Sequence, residues 1–297
     1  MRFALVVFVV LLGAFRGAQT QMEAGFVTHD RRERAYYVYT PTGYEVLTPL
    51  PLLIALHPSS TSGAAGMASL TGFNEIAERE NFITVYPIGP NGYWDYGAGL
   101  PQWDGVGDAL DDPGYLTKVL DEVTADYAID TQRIYAAGFS NGARMAFRLA
   151  CDHADRLAGI AAVAATISDE VTTACSTENH VSVFFMHGTG DRVIPWEGKP
   201  LHIGDLFIST ALSAPETAHF WAELNGCSME PTIEQLPDSA PDDRLSIRRD
   251  VYSDCADATE VAFYRMVNGG HWWFQTPDFN VSEVIWSFFE AHPRATS

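Results

Sequence analysis

The sequence predicts an α/β fold, a mostly parallel central sheet with helices on both faces. Two observations carry that prediction. Short runs made almost wholly of apolar residues, such as Pro51-Leu52-Leu53-Ile54-Ala55-Leu56-His57, alternate with segments rich in helix formers. A strand buried on both faces reads as such a continuous run, whereas a strand with one wet face alternates. No internal repeat, low-complexity tract or Pro/Ser linker divides the 297 residues, so one domain over residues 25–297 is expected.

The elements follow in order. The chain opens with one positive charge, Arg2, and a short apolar run to Leu12. A membrane span needs about 20 apolar residues, so the run fits a secretory signal peptide over residues 1–20. Cleavage near Ala18-Gln19-Thr20 is one option, with others as far as Ala24. The protein is therefore expected to be secreted, extracellular or periplasmic. It has no cysteine after the run for a lipid anchor and no later segment fit to span a bilayer.

Strands are then expected at 34–41, 51–57 and 82–87, with a helix near 65–80 between the last two. The apolar run Arg133–Ala137 reads as a buried strand, flanked by helices at 113–126 and 143–153. Strands at 159–165, 181–187 and 261–267 follow, with helices at 215–224 and 281–291. Two stretches break the alternation: Gly89–Asp112, which carries Tyr93, Trp94, Tyr96 and Trp103, and Trp196–Ser213. Loops beyond the carboxyl ends of parallel strands are where such sheets bind ligands. Aromatics there could grip a ring or serve as a hydrophobic plug that holds the loop down.

Composition narrows the partners. With 47% hydrophobic and 19% charged residues the chain is ordinarily globular, but its net charge is −20 and its only lysines are Lys118 and Lys199. So acidic a surface repels nucleic acid and anionic membrane. Neither is expected as a partner, and the chain is expected to work as a monomer. Cys151, Cys175, Cys227 and Cys255 all lie in the exported part, an even number that suggests two disulfides. Three pairings are possible, and order along the chain suggests 151 with 175 and 227 with 255. The paired short spacings of a zinc site are missing, so no metal is expected.

Gly138-Phe139-Ser140-Asn141-Gly142 is the most informative stretch. A serine between two glycines, with a strand before it and a helix after it, marks the nucleophile elbow of α/β-hydrolases. The turn leaves no room for a Cβ at the glycines and pushes the hydroxyl out above the sheet. Serine needs a base, and that base an acid to orient it. In chain order the acid precedes the histidine. Asp191 lies directly after the apolar strand Val183–His187, and His271 follows the last strand through Asn268-Gly269-Gly270. Asp169 and Asp205 are weaker rivals, as neither follows a strand so closely. His180, His202 and His219 lack a glycine-bounded turn, and His187 reads as a structural residue at its strand's end. An oxyanion hole needs two backbone N–H groups. Asn141 supplies one and Ser59, in His57-Pro58-Ser59-Ser60, the other, since Pro58 has no N–H. His57 reads as a brace for this loop.

These residues resemble the secreted esterase family that unites polyhydroxybutyrate depolymerases and feruloyl esterases. The likeness runs from about Arg34 to Glu290 and is carried by Asp130–Gly142, His187-Gly188-Thr189-Gly190-Asp191 and Gly269-Gly270-His271-Trp272-Trp273. The resemblance implies an α/β-hydrolase fold, Ser140, Asp191 and His271 as nucleophile, acid and base, Ser59 and Asn141 as oxyanion donors, and two disulfides compatible with the pairs above. Two departures stand out. Relatives often have His-Gly where this chain has His57-Pro58, and a Trp-Pro pair where it has Trp272-Trp273-Phe274.

The expected function is a serine carboxylic-ester hydrolase without metal or organic cofactor. As His271 must be neutral to act as base, activity is expected to rise through about pH 6–7. The aromatic loops and the resemblance favour hydroxycinnamoyl (feruloyl) or related plant polysaccharide esters, with Trp94, Trp103, Trp272 and Trp273 as substrate contacts. The chain stops soon after its final helix with no appended domain for gripping solid polymer, which favours soluble esters over insoluble polyester; hydroxyalkanoate oligomers are the alternative substrate. A non-catalytic binding protein on the same scaffold would typically lack a member of the triad, and a peptidase would carry an added gating domain. Asn280-Val281-Ser282 matches the N-glycosylation pattern.

Overall fold

The computed structural model describes residues 22–60, 62–97, 110–176, 178–203, 206–277 and 279–295. In chain order the first elements are β1 (Glu23–His29), β2 (Arg32–Tyr39), β3 (Leu50–Leu56), α1 (Gly63–Thr71), α2 (Phe73–Glu80), β4 (Ile83–Pro87) and α3 (Asp112–Asp126). Next come β5 (Ile129–Phe139), α4 (Asn141–Asp152), β6 (Gly159–Val163), α5 (Asp169–Thr172) and β7 (Ser182–Gly188). The last are β8 (Lys199–Ile203), β9 (Leu206–Ala211), α6 (Ala214–Leu224), β10 (Thr232–Gln235), β11 (Ser246–Tyr252), β12 (Val261–Val267), β13 (Gln275–Thr276), β14 (Phe279–Asn280) and α7 (Val281–Ala291).

Ten strands form one sheet in the order β1-β2-β4-β3-β5-β6-β7-β12-β11-β10. The six from β4 to β12 run parallel, and antiparallel strands extend both edges. Because side chains alternate across a strand, β3 feeds two cores. Leu52, Ile54 and Leu56 pack with α3, α4 and α6, while Leu53 and Ala55 pack with α1, α2 and α7. Helices therefore cover both faces, and this double burial is why the central strands read as unbroken apolar runs. On the second face Trp286 of α7 stacks on Phe82 at 3.7 Å, a pairing that adds about 0.5–1.5 kcal/mol beyond the area it buries.

The structure departs from the sequence reading in places with clear causes. The helix expected at 65–80 is two helices, broken at Gly72, whose φ of 64° caps α1 and opens α2. The hairpin of β1 and β2 was not legible, because its turn is Asp30-Arg31, both at positive φ (49° and 60°), rather than a glycine pair. Glu23 already pairs with Val38, so a chain starting at 25 would lose the first rungs of β1. Strand β11 hides behind Arg248, Arg249 and Asp250. Asp250 is fully buried yet held by Arg248 at 2.7 Å and by Arg265. The stretch after Trp196 holds the hairpin β8–β9.

Disulfides join Cys151 to Cys175 and Cys227 to Cys255. Among the described residues no helix is long and apolar enough to cross a membrane. The signal peptide expected at residues 1–20 lies outside the described residues.

Candidate active site

Strand β5 ends at Phe139 and α4 begins at Asn141, leaving Ser140 alone to turn the chain. Its φ of 55° and ψ of −117° lie where non-glycine residues cost of order 1–3 kcal/mol and persist only if the surroundings hold them. The surroundings do hold it. The Ser140 N–H donates to Val163 O at 2.9 Å, fastening the turn to β6. A Cβ on Gly138 would fall 2.1 Å from Gly142 O, and one on Gly142 only 2.2 Å from Leu56 O. Glycine is required at both places, the second because α4 begins directly against the end of β3.

The other two side chains arrive by strand adjacency. β7 and β12 are parallel neighbours, so the loops beyond them lie side by side at the carboxyl edge. The Gly190 N–H donates to Gly269 O at 2.8 Å, and a Cβ on Gly188 would lie 2.4 Å from that same oxygen. With the loops so close, His271 Nδ1 is 2.7 Å from Asp191 Oδ2, and His271 Nε2 is 2.9 Å from Ser140 Oγ. A carboxylate can only accept, so Nδ1 carries the proton and Nε2 faces the hydroxyl as an acceptor. The other carboxylate oxygen, Oδ1, accepts from the N–H groups of Val193 (2.8 Å) and Ile194 (2.9 Å). Burial would raise the Asp191 carboxyl, but these bonds and the His271 ring outweigh it and hold the group below its ordinary value. The Phe139 ring packs against the His271 ring, their centroids 5.2 Å apart.

Beside the serine, the Asn141 N–H belongs to the first turn of α4, where N–H groups have no partner within the helix. Its side chain accepts from the Trp94 N–H at 2.7 Å and donates to Trp94 O at 3.1 Å, latching the loop after β4 to the elbow. Ser59 is exposed in the loop after β3. That loop is braced by His57, which accepts from the Gly89 N–H at 2.9 Å through Nε2 and so donates from Nδ1 to Pro58 O at 2.7 Å. Burial lowers the His57 pKa, keeping the ring neutral for both bonds. Neither the Asn141–Trp94 latch nor the amides on Asp191 was foreseen from the sequence. Polar side chains facing backbone leave no periodic signature.

The expected substrate tryptophans divide. Trp94 is fully buried, and its indole N–H donates to His57 O at 2.9 Å, so it is a plug under the loop rather than a contact for substrate. Trp273 is 6% exposed, donates to Ser282 Oγ at 2.8 Å and packs edge-on against Phe139 and Phe73, which again makes it part of the core. Trp272, next to His271, is 68% exposed. Trp103 lies outside the described residues, as does Asp205. Asp169 opens α5, His180 pairs with Asp257 at 2.8 Å, and His219 packs edge-on against Tyr252, all apart from the site. No cluster of metal-ligating side chains occurs among the described residues.

Comparison with known proteins agrees with this architecture. The model of the Phospholipase/Carboxylesterase family matches residues 62–201. A bifunctional acetylxylan esterase/xylanase of Neocallimastix patriciarum is 31% identical over 165 residues, 55% of this chain and 22% of that protein. Feruloyl esterase B of Piromyces equi is 27% identical over 80% of this chain and 42% of its own length. The chain thus spans less than half the length of either relative. Among solved structures, the acetyl xylan esterase from Aspergillus awamori superposes with a TM-score of 0.63 over 90% of this chain and 99% of that one. At 16% identity that likeness is one of fold.

Proposed function

We propose that this chain, an α/β-hydrolase of the esterase type, is a secreted serine hydrolase that cleaves carboxylic esters of plant polysaccharides through an acyl-enzyme, hydroxycinnamoyl esters above all. One observation carries the reading: the unbroken hydrogen-bond line from Ser140 Oγ through His271 to Asp191, with distances of 2.9 and 2.7 Å. Ser140 attacks the ester carbonyl as its proton passes to His271 Nε2. Asp191 keeps the imidazole in the tautomer that can accept that proton and steadies the imidazolium that forms. The N–H groups of Asn141 and Ser59 receive the developing oxyanion, each donor worth about 10²–10³ in rate. His271 then returns the proton to the leaving alcohol, and water repeats the sequence on the acyl-serine.

The acyl preference rests on Trp272, whose indole stands open to solvent one residue past the base. Val193, two residues past Asp191, is 65% exposed, so apolar surface flanks the base and the acid alike. A flat aromatic acyl group would find a stacking partner there, which an acetyl group is too small to use. The signal-like first residues and the two disulfides support secretion, since such bonds persist in oxidising compartments. Turnover of methyl ferulate, acetylated xylan and hydroxybutyrate oligomers by purified protein tests the assignment. We expect methyl ferulate to be the best of the three. Activity confined to hydroxybutyrate oligomers would overturn the substrate class, and no ester hydrolysis at all would overturn the reading.

A further inference from the structure

We infer that His187 is a positioning residue for Asp191: its ring N–H, acting through the Ile194 carbonyl, fixes the turn that aims the carboxylate at His271. The inference rests on the reading of Asp191 as the acid of the site. Asp191 spends its two oxygens separately, Oδ2 on His271 at 2.7 Å and Oδ1 on the N–H groups of Val193 and Ile194. The carboxylate can point no better than the 191–194 turn is placed. The near end of that turn is held by the Asp191 N–H on Gly188 O at 3.2 Å, and the far end is tied back to the sheet by His187, in β7, whose Nε2 lies 3.0 Å from Ile194 O. As the carbonyl only accepts, Nε2 carries the proton. Ile194 is thereby gripped on both sides, its N–H by Asp191 and its carbonyl by His187.

Two further observations separate this role from simple filling of space. His187 is fully buried, and its Nδ1 has no hydrogen-bond partner. An apolar ring would fill the gap between Phe185 and Trp196, whose rings lie 6.1 and 6.0 Å away, without burying an unpaired nitrogen. What the imidazole adds is the single N–H. It also adds no charge. Burial pushes its pKa down to about 4, so the ring is neutral across the range in which His271 must act as a base. Nε2 is 3.9 Å from Asp191 Oδ2, beyond bonding reach, which leaves that oxygen to His271.

The test compares His187→Phe, His187→Asn and His187→Gln, each checked for wild-type circular dichroism, on a p-nitrophenyl ester. Glutamine extends a donor to about the place of Nε2, whereas asparagine reaches only to that of Nδ1. We expect kcat to fall between about tenfold and 10²-fold for the phenylalanine and asparagine variants, with KM little changed, and glutamine to recover most of it. In an Asp191→Asn background, where there is no carboxylate to aim, His187→Asn should cost less than about twofold. Wild-type kcat in the asparagine variant, or the same loss with and without Asp191, would overturn the inference. If Ser140→Ala or Asp191→Asn alone left activity whole, the reading of the site would fail first. Should the phenylalanine variant not fold, the contrast between asparagine and glutamine still decides.

Discussion

Gly142→Ala isolates the contact between the Ser140 turn and the loop after β3. In an exposed helix this exchange would stabilise by roughly 0.5–1 kcal/mol, because glycine loses more chain entropy on folding. Here the new Cβ would stand 2.2 Å from the Leu56 carbonyl oxygen and 2.6 Å from that of His57. A carbon needs about 3.3 Å from such an oxygen, so α4 and the end of β3 must part by roughly 1 Å. Both obstacles are backbone, and no side chain can swing aside. Overpacking of this kind costs about 1–3 kcal/mol, reversing the helix-propensity sign. The separation would also move the Asn141 N–H away from the loop that carries Ser59, and a misplacement of about 1 Å costs up to about 10²-fold in rate. Thermal melting with kcat and KM on p-nitrophenyl acetate reads both effects. We expect a lower Tm and a kcat reduced by between about tenfold and 10²-fold. Gly226→Ala serves as control: its Cβ meets nothing within 4 Å, so only the strain at φ 63° is felt and kcat should hold. A Gly142→Ala enzyme with unchanged Tm and kcat would refute the close approach.

Three further outcomes are expected. Trp272→Ala should raise KM for methyl ferulate several-fold, about 1 kcal/mol of lost stacking, while leaving p-nitrophenyl acetate nearly unaffected; equal effects on both esters would remove Trp272 from substrate recognition. Replacing Cys151 and Cys175 by serine opens a loop of sequence separation 24 and should lower unfolding free energy by about 3 kcal/mol on the chain-entropy model, read by urea titration. The third concerns pH. His187 titrates at about 4 in the folded chain against about 6.5 unfolded. Above 6.5 neither state holds the proton; between 6.5 and 4 only the unfolded chain does, so stability falls as pH drops through that window, by up to about 3 kcal/mol. His187→Gln should lose correspondingly less between pH 7 and 4 than the wild type, and identical losses would count against a buried neutral imidazole.

Much of the fold and of the site is legible in the sequence, for reasons particular residues make plain. Wherever burial on both faces of the sheet dictates composition, the strand shows: β3, β7 and β12 announce themselves as apolar runs. The elbow shows because two glycines are forced by backbone contacts rather than chosen. What stayed hidden is structure whose reason lies elsewhere in the chain. β11 carries a buried aspartate that is tolerable only because arginines from its own strand and from β12 meet it. The aromatic residues misled most. Trp94 and Trp273 stand in loops, as binding residues do, but each has an indole N–H with an internal acceptor and a ring inside the core. Exposure, which sequence does not record, is what sets Trp272 apart from them.

The central claim, that one serine is activated by the imidazole 2.9 Å away, is tested most directly by a fluorophosphonate probe with mass spectrometry of the labelled peptide. One adduct on Ser140, abolished in Ser140→Ala and strongly slowed in His271→Ala, is the expected result. Labelling at another serine, or undiminished ester hydrolysis by Ser140→Ala, would contradict it.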